Sequence, residues 1–271
     1  MNRKQFLQIA GPAFLLLANG QLVQATDLLS LVAKRKKKIR FVIASDGHYG
    51  EKNTDYVNFF NTLVTRINEE HKKDRFDFCM INGDIVHNDP AFYPDAKAVL
   101  DQLAPRYYVT LGNHDRVSGE QWAGIWNMPL NYDFVIGDTA FLAAATSDIS
   151  GKYQSPDLGW FSQKFEQYKR KKNLFVFFHI NQAKLTTHGI NSPEFLQMAR
   201  EVKNLRCIFN GHDHDEDGIK TWQNLRFVFD AHFGGSWGTT YRGFRIVELL
   251  KDNSVLTYIL NPFDKINQAV L

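Results

Sequence analysis

Five apolar runs of strand length each end in residues that bind metals or move protons. The run 39–45 leads into Asp46-Gly47-His48, 76–82 into Gly83-Asp84, and 106–111 into Gly112-Asn113-His114-Asp115. The run 173–178 ends at His179, and 205–210 leads into Gly211-His212-Asp213-His214. Runs of β-branched and aromatic residues bounded by Gly, Asp and Asn read as strands. Carboxylate oxygens, imidazole nitrogens and an Asn carbonyl are thus delivered to five strand ends, and no cysteine joins them. That donor set suits a borderline divalent ion such as Mn²⁺, Fe²⁺ or Zn²⁺. The glycines ahead of Asp84, Asn113 and His212 let the backbone turn sharply as it leaves each strand.

A solvated turn after a strand is naturally rich in Asp, Asn, Gly and His, so one such end alone means little. The tetrapeptide Gly112-Asn113-His114-Asp115 is expected by chance on the order of once in a thousand chains of this length. Its place in order among four other such ends makes a metal site the better reading.

Further strands are expected at 132–137, 139–145, 225–230, 241–249 and 254–260. After Asn53-Thr54-Asp55, an N-capping group, Tyr56, Phe60, Leu63, Val64 and Ile67 fall on one helical face. Similar helices are expected around 91–103, 158–170 and 192–202. Strand–helix alternation in the first half and a strand-dense last third predict sheets covered by helices. The simplest parse is one domain over 39–262 with a C-terminal tail at 263–271. The two cysteines, Cys79 and Cys207, sit in apolar runs and read as buried thiols rather than a disulfide framework.

Residues 1–25 differ from the rest. Arg3 and Lys4 precede an apolar stretch from Phe6 to Ala18, followed by small residues at Val23 and Ala25. This is the pattern of a signal peptide, cleaved near Ala25, and it predicts a periplasmic or secreted protein. A transmembrane span is the competing reading, but the stretch is well short of ~20 residues and carries Gly11 and Pro12. The opening Asn2-Arg3-Lys4-Gln5-Phe6-Leu7 also resembles the twin-arginine export signal, with Lys4 in place of its second Arg. Residues 26–38 then form a basic linker. Arg3, Lys4 and the six basic residues of 34–40 outweigh Asp27, so that with a net charge of +3 the residues after Arg40 sum to −4. The body is mildly acidic, and no basic surface interleaved with aromatics marks a nucleic-acid-binding domain.

The ordered set D-x-H, G-D, G-N-H-[DE], a lone His after a strand, and G-H-x-H, present here over 46–214, resembles the calcineurin-like metallophosphoesterase superfamily. The resemblance implies an α/β (α+β) fold, a four-layer αββα sandwich of two mixed β-sheets flanked by helices. It implies two divalent metal ions. Asp46, His48, Asp84 and His214 would bind one, and Asp84, Asn113, His179 and His212 the other, with Asp84 as the bridge. Two ions roughly 3.5–4 Å apart can generate hydroxide at neutral pH and hold phosphoryl oxygens for in-line attack. The resemblance makes His114 the acid that protonates the leaving oxygen and Asp115 the residue that orients it. The expected activity is hydrolysis of a small phosphorylated substrate, a phosphodiester or a phosphomonoester. A metal-binding protein of the same fold without turnover is the alternative, and the intact ligand set with His114 argues against it.

Departures from subgroup patterns narrow this further. Purple acid phosphatases carry D-x-G first and a Tyr three residues after the bridging Asp, where this chain has Asp46-Gly47-His48 and His87. Ser/Thr protein phosphatases of the superfamily read G-D-x-V-D-R-G, against Gly83-Asp84-Ile85-Val86-His87-Asn88-Asp89 here. The chain is most similar to small bacterial phosphodiesterase-like and phosphatase-like members. His87 is a candidate substrate contact, or else a cap for the next helix. His232, Ser236 and Trp237 lie in a glycine-rich loop that suits a pocket rim, and His71 and His188 read as surface residues. Gly234-Gly235-Ser236-Trp237-Gly238 matches G-x-S-x-G, but the base must follow that serine and the last histidine is His232. The acidic run 213–218 begins like a calcium loop, yet its twelfth position is Asn224 where Glu belongs.

Overall fold

A computed structural model of the chain describes residues 15–18, 21–24, 37–261 and 265–270. Leu15–Ala18 (β1) and Gln21–Gln24 (β2) pair antiparallel. The rest of the expected export signal, and residues 26–36 of the expected linker, lie outside the described residues. No helix among the described residues is long and apolar enough to cross a membrane.

Lys37–Ala44 (β3), Phe78–Asn82 (β4) and Tyr107–Thr110 (β5) lie side by side and parallel. A second sheet follows: Tyr132–Ile136 (β6), Thr139–Ala143 (β7), Asn173–Phe178 (β8), Leu205–Asn210 (β9), Ile219–Trp222 (β10) and Leu225–Phe229 (β11). Its order is β10-β11-β9-β8-β7-β6, parallel in the middle and antiparallel at both edges. The chain then returns to the first sheet with Phe244–Leu250 (β12), Val255–Leu260 (β13) and Lys265–Val270 (β14), giving the order β14-β13-β12-β3-β4-β5.

Alternation along each strand builds the layers. In β3, Val42 and Ala44 face the helices Tyr56–Lys73 (α1), Tyr93–Leu100 (α2) and Gly119–Trp126 (α3), while Phe41 and Ile43 face the other sheet. In β8, Leu174, Val176 and Phe178 pack on Leu158–Tyr168 (α4) and Pro193–Arg200 (α5), while Phe175 and Phe177 point back between the sheets. Both sheets are mixed, and the order helix, sheet, sheet, helix is the four-layer sandwich expected. The 22 phenylalanines of the chain find much of their use here. Phe41 stacks on Phe78 at 4.7 Å and meets the edges of Phe141, Phe175, Phe177 and Phe209. Helix α1 buries Phe60, Leu63, Val64 and Ile67, the face its spacing marks. Each such side chain stabilises by about 1.5–3 kcal/mol. Asp55 stands at its N-cap position, but its side chain makes no capping bond.

The structure moves both expected boundaries of the domain. Lys37 and Lys38 belong to β3 rather than to a linker, and β14 makes 265–270 a strand of the first sheet rather than a tail. Helix α3 and strand β10 are additions to the expected elements. Two glycines in GEQWAGIW hide the helix, although Ser118 and Gln121 form the capping box that announces it. β10 is a four-residue edge strand inside a polar stretch.

Candidate metal centre

Parallel neighbours end on the same side, so β3, β4 and β5 present their C-terminal ends together, and β8 and β9 do the same across the sandwich. A parallel bridge from Ser45 to His232 joins the two rims. Asp46, His48, Asp84 and His212 all take left-handed backbone angles, φ 60°, 48°, 52° and 70°. Such angles cost of order 1–3 kcal/mol each and gather at functional sites. Of the glycines expected to supply sharp turns, Gly83 does so, with φ 86°. Gly112 and Gly211 serve close approach instead. A Cβ on Gly112 would stand 2.2 Å from the Asp84 backbone nitrogen, and one on Gly211 1.9 Å from Ser45 Oγ.

The expected ligands come together in two groups, Asp46 with His48 and His214, and Asp84 with His179 and His212, donor atoms within 4.8 Å in each. Asp84 Oδ2 lies 3.1 Å from His179 Nε2 and 3.7 Å from His48 Nε2, so it touches both groups. Asp46 Oδ1 lies 3.3 Å from His214 Nε2 and 3.7 Å from His179 Nε2. Asn113, which follows β5, is buried.

Tautomers follow from the outer contacts. A carbonyl can only accept, so His179 Nδ1–H donates to Asn82 O at 2.8 Å and His214 Nδ1–H to Trp237 O at 3.1 Å. The neutral rings then turn Nε2 lone pairs toward carboxylate oxygens in a water-poor interior. His212 Nε2 and Asn113 Oδ1 are buried with no hydrogen-bond partner among the described residues, and His179 Nε2 faces carboxylate oxygens of Asp84 and Asp46. Lone pairs that converge without donors need positive charge among them. Without a metal that charge is protons. Burial alone would lower His179, but Asp84 and Asp46 lift it to about 10. Burial together with charged His179 presses His212 down to about 3. Burial would raise Asp46 and Asp84, yet the surrounding imidazoles hold both below the ordinary carboxylate range. Divalent ions fit this donor set of imidazoles, carboxylates and one amide oxygen better than shared protons do.

A buried polar floor, with little trace in the sequence, supports the second group. Asn82 O takes His179 Nδ1–H and Ser45 Oγ, and its side chain bonds Phe178 O at 3.0 Å, Asp230 Oδ2 at 2.9 Å and Thr110 Oγ1 at 2.8 Å. Arg245, fully buried, lies 3.8 Å from Asp230 Oδ1 and donates to Phe229 O and Thr257 Oγ1. The sequence carries one signal of it: Asn82 is the polar end of an otherwise apolar buried strand.

Three expectations change at the site. Asp115 does not orient His114. Its carboxylate takes the backbone N–H groups of Gly112, Asp84, Ile85 and Val86 at 2.7–3.2 Å, so it shapes the loop that carries Asp84. Burial, with Asp84 nearby, pushes Asp115 up to about 7. The His114 ring instead pairs through Nδ1 with Asn88 Oδ1 at 3.0 Å. His232 is no pocket rim: it is buried behind His214, stacked at 4.8 Å, with its nitrogens engaged by Gly234 O and Thr239. His87 caps no helix, a role taken by Asp89. His87 lies at the cleft, its Nδ1 3.1 Å from His48 Nδ1 and its ring stacked on His114 at 4.8 Å. Trp237 also stays at the cleft, stacked on His214 at 4.3 Å. Ser236 Oγ donates to Glu51, not to a histidine, in line with rejection of a serine nucleophile. His188 is exposed, as expected.

Comparison with known proteins agrees with this geometry. A sequence profile of the calcineurin-like phosphoesterase family matches residues 39–216. No curated protein matches the chain in sequence. Among solved structures, a dimetal phosphatase from Danio rerio shares 13% identity over 87% of this chain and 99% of its own, with a TM-score of 0.70. GAP50, described as the anchor in the inner membrane complex of Plasmodium, shares 15% identity over 87% and 89%, TM-score 0.64. The calcineurin-like phosphoesterase YfkN from Bacillus subtilis shares 12% over 86% and 90%, TM-score 0.51. At these identities the structural likeness speaks for the fold alone. The profile covers all five strand ends and about two thirds of the sequence, and the chain belongs to the calcineurin-like phosphoesterase family.

Proposed function

We propose that the chain hydrolyses small phosphoric esters, monoesters or diesters, with two divalent ions of Mn, Fe or Zn. The observation that carries this reading is the convergence of two buried groups of ligand atoms, Asp46 with His48 and His214 and Asp84 with His179 and His212, with His212 Nε2 and Asn113 Oδ1 buried and unpaired. Asp46, His48, Asp84 and His214 would hold one ion, and Asp84, Asn113, His179 and His212 the other. When bound, such a pair polarises phosphoryl oxygens and brings the pKa of water near neutrality.

The remaining work falls to His114. Its backbone N–H donates to Asp84 Oδ1 at 2.7 Å, which ties the acid to the shared ligand. Its Nδ1–H donates to Asn88 Oδ1, leaving Nε2 to carry the transferable proton. As the bond from phosphorus to the leaving oxygen breaks, that proton passes from Nε2 to the oxygen, a new bond forms between phosphorus and the oxygen of a water that gives up one proton to solvent, and His114 regains its proton from solvent afterwards. His87, nearly parallel to the His114 ring at 18°, limits its rotation. Metal-stripped protein should show no turnover of bis(p-nitrophenyl) phosphate or p-nitrophenyl phosphate, and added Mn²⁺ should restore turnover of at least one. Stoichiometric metal without turnover of either would leave a metal-holding protein of this fold and sink the hydrolase reading.

A further inference from the structure

The stack His232, His214, Trp237 runs from the interior outward and ends in an indole that is 43% exposed. Val57, Val135, Ile149 and Val270 are the other large exposed apolar residues among those described, and Trp237 is the one aromatic. The loop that carries it is pinned at several points. Trp237 O accepts His214 Nδ1–H, Ser236 Oγ donates to Glu51 Oε1 at 2.6 Å, and Arg242 Nη2 donates to Gly235 O at 2.7 Å. Gly234 N donates to Asp46 O at 3.0 Å. An exposed aromatic already held in place loses little further freedom on binding, which makes it an efficient contact for a flat partner.

That indole also lies near His114, the proposed acid. Its ring centre is 4.8 Å from His48 and 6.3 Å from both His87 and His114. A leaving oxygen within hydrogen-bond reach of His114 puts a ring attached to it within the roughly 4.5–7 Å at which aromatic pairs interact.

We propose that Trp237 is a specificity residue that stacks an aromatic leaving group, so that the preferred substrates are phosphoric esters of ring-bearing alcohols or phenols. This rests on the ester-hydrolase reading and names the substrate class of the same site. The test is calorimetric binding of phenylphosphonate and methylphosphonate to the Mn²⁺-loaded full chain, a readout independent of turnover. Base–aromatic stacking is worth about 1–3 kcal/mol by alanine substitution, which corresponds to about 5- to 150-fold in affinity. The wild type should therefore prefer phenylphosphonate by about tenfold. Trp237→Ala should keep its metal content and its affinity for methylphosphonate but lose the preference, and Trp237→Phe should recover most of it. Equal affinities in the wild type, or a preference that survives Trp237→Ala, would overturn the proposal. Loss of metal with equal weakening of both phosphonates in Trp237→Ala would also overturn it, by reducing the indole to a prop for His214. If neither phosphonate binds the metal-loaded wild type, the hydrolase reading falls and takes this inference with it.

Discussion

The two halves of the centre are built differently. The half around His179 rests on rigid strand ends: its imidazole is pinned to Asn82 O, and Asn82 is bonded to Phe178, Thr110 and Asp230 in the closed interior between the sheets. The half around His214 is held by a loop: its Nδ1–H reaches Trp237 O, and its ring lies between His232 and an exposed indole. One set of ligands is preorganised by sheet hydrogen bonds and the other by stacking at the mouth of the cleft. Outer contacts of metal ligands typically change metal affinity by about 10–100-fold. The floor-held half should therefore keep its ion longer under chelation than the loop-held half.

The largest effect should come from the residue that belongs to both halves. Asp84→Ala should abolish turnover and empty both positions, whereas Asn113→Ala should mainly deplete one; elemental analysis reads both. Full occupancy in Asp84→Ala would break the shared-ligand assignment.

Next in size is the separation of chemistry from scaffolding. His114→Ala should keep both metals and lose about 10²–10⁴-fold on alkyl esters, whose leaving oxygen needs a proton. It should lose much less on nitrophenyl esters. His179→Ala should impair both substrate types. Asn88→Ala should repeat the His114 pattern more weakly, since only the ring's orientation is lost. Equal losses on both esters in His114→Ala, at unchanged metal content, would assign His114 to phosphate binding instead.

The halves themselves are compared by removing one outer support from each. Asp230→Asn should weaken the tighter ion and His232→Ala the looser one, each by about 10–100-fold in metal titrations. Swapped or equal effects would erase the contrast between floor and loop.

The smallest effect is on stability against pH. Burial pushes Asp230 up to about 7 from 3.8, with Arg245 opposing. A carboxyl raised in the folded state binds its proton more tightly there than in the unfolded chain. Its contribution is thus full below about pH 4 and is lost as pH rises through about 7. Denaturant titrations of the metal-free chain should show the wild type losing its advantage over Asp230→Asn across that window. Asp115, raised likewise, keeps part of the slope in both. A difference constant from about pH 4 to 8 would contradict the burial account.

Much of this centre is legible in the amino-acid sequence. Asp46, His48, Asp84, Asn113, His179, His212 and His214 announce themselves because the chain leaves each strand at a polar end, most of them marked by glycine. The strands themselves are equally local, read from apolar runs bounded by Gly, Asp and Asn, whereas both faces of β4 and β8 are apolar and only folding decides which faces the helices. Even α3, hidden by its glycines, carries a signal in the Ser118 and Gln121 capping box.

Other features could be decided only by folding. Asp115 follows His114 in sequence, yet it serves the backbone of the Asp84 loop, while Asn88, 26 residues away, meets the ring. Asp230 reaches Asn82 across 148 residues, and β14 joins a sheet begun at Lys37. Residue type and backbone periodicity limit what a side chain can bind and which way its strand will turn it. The partner it actually meets depends on which distant strands pack beside it, and that is settled by burial of the phenylalanine layers between two sheets rather than by any short stretch of sequence.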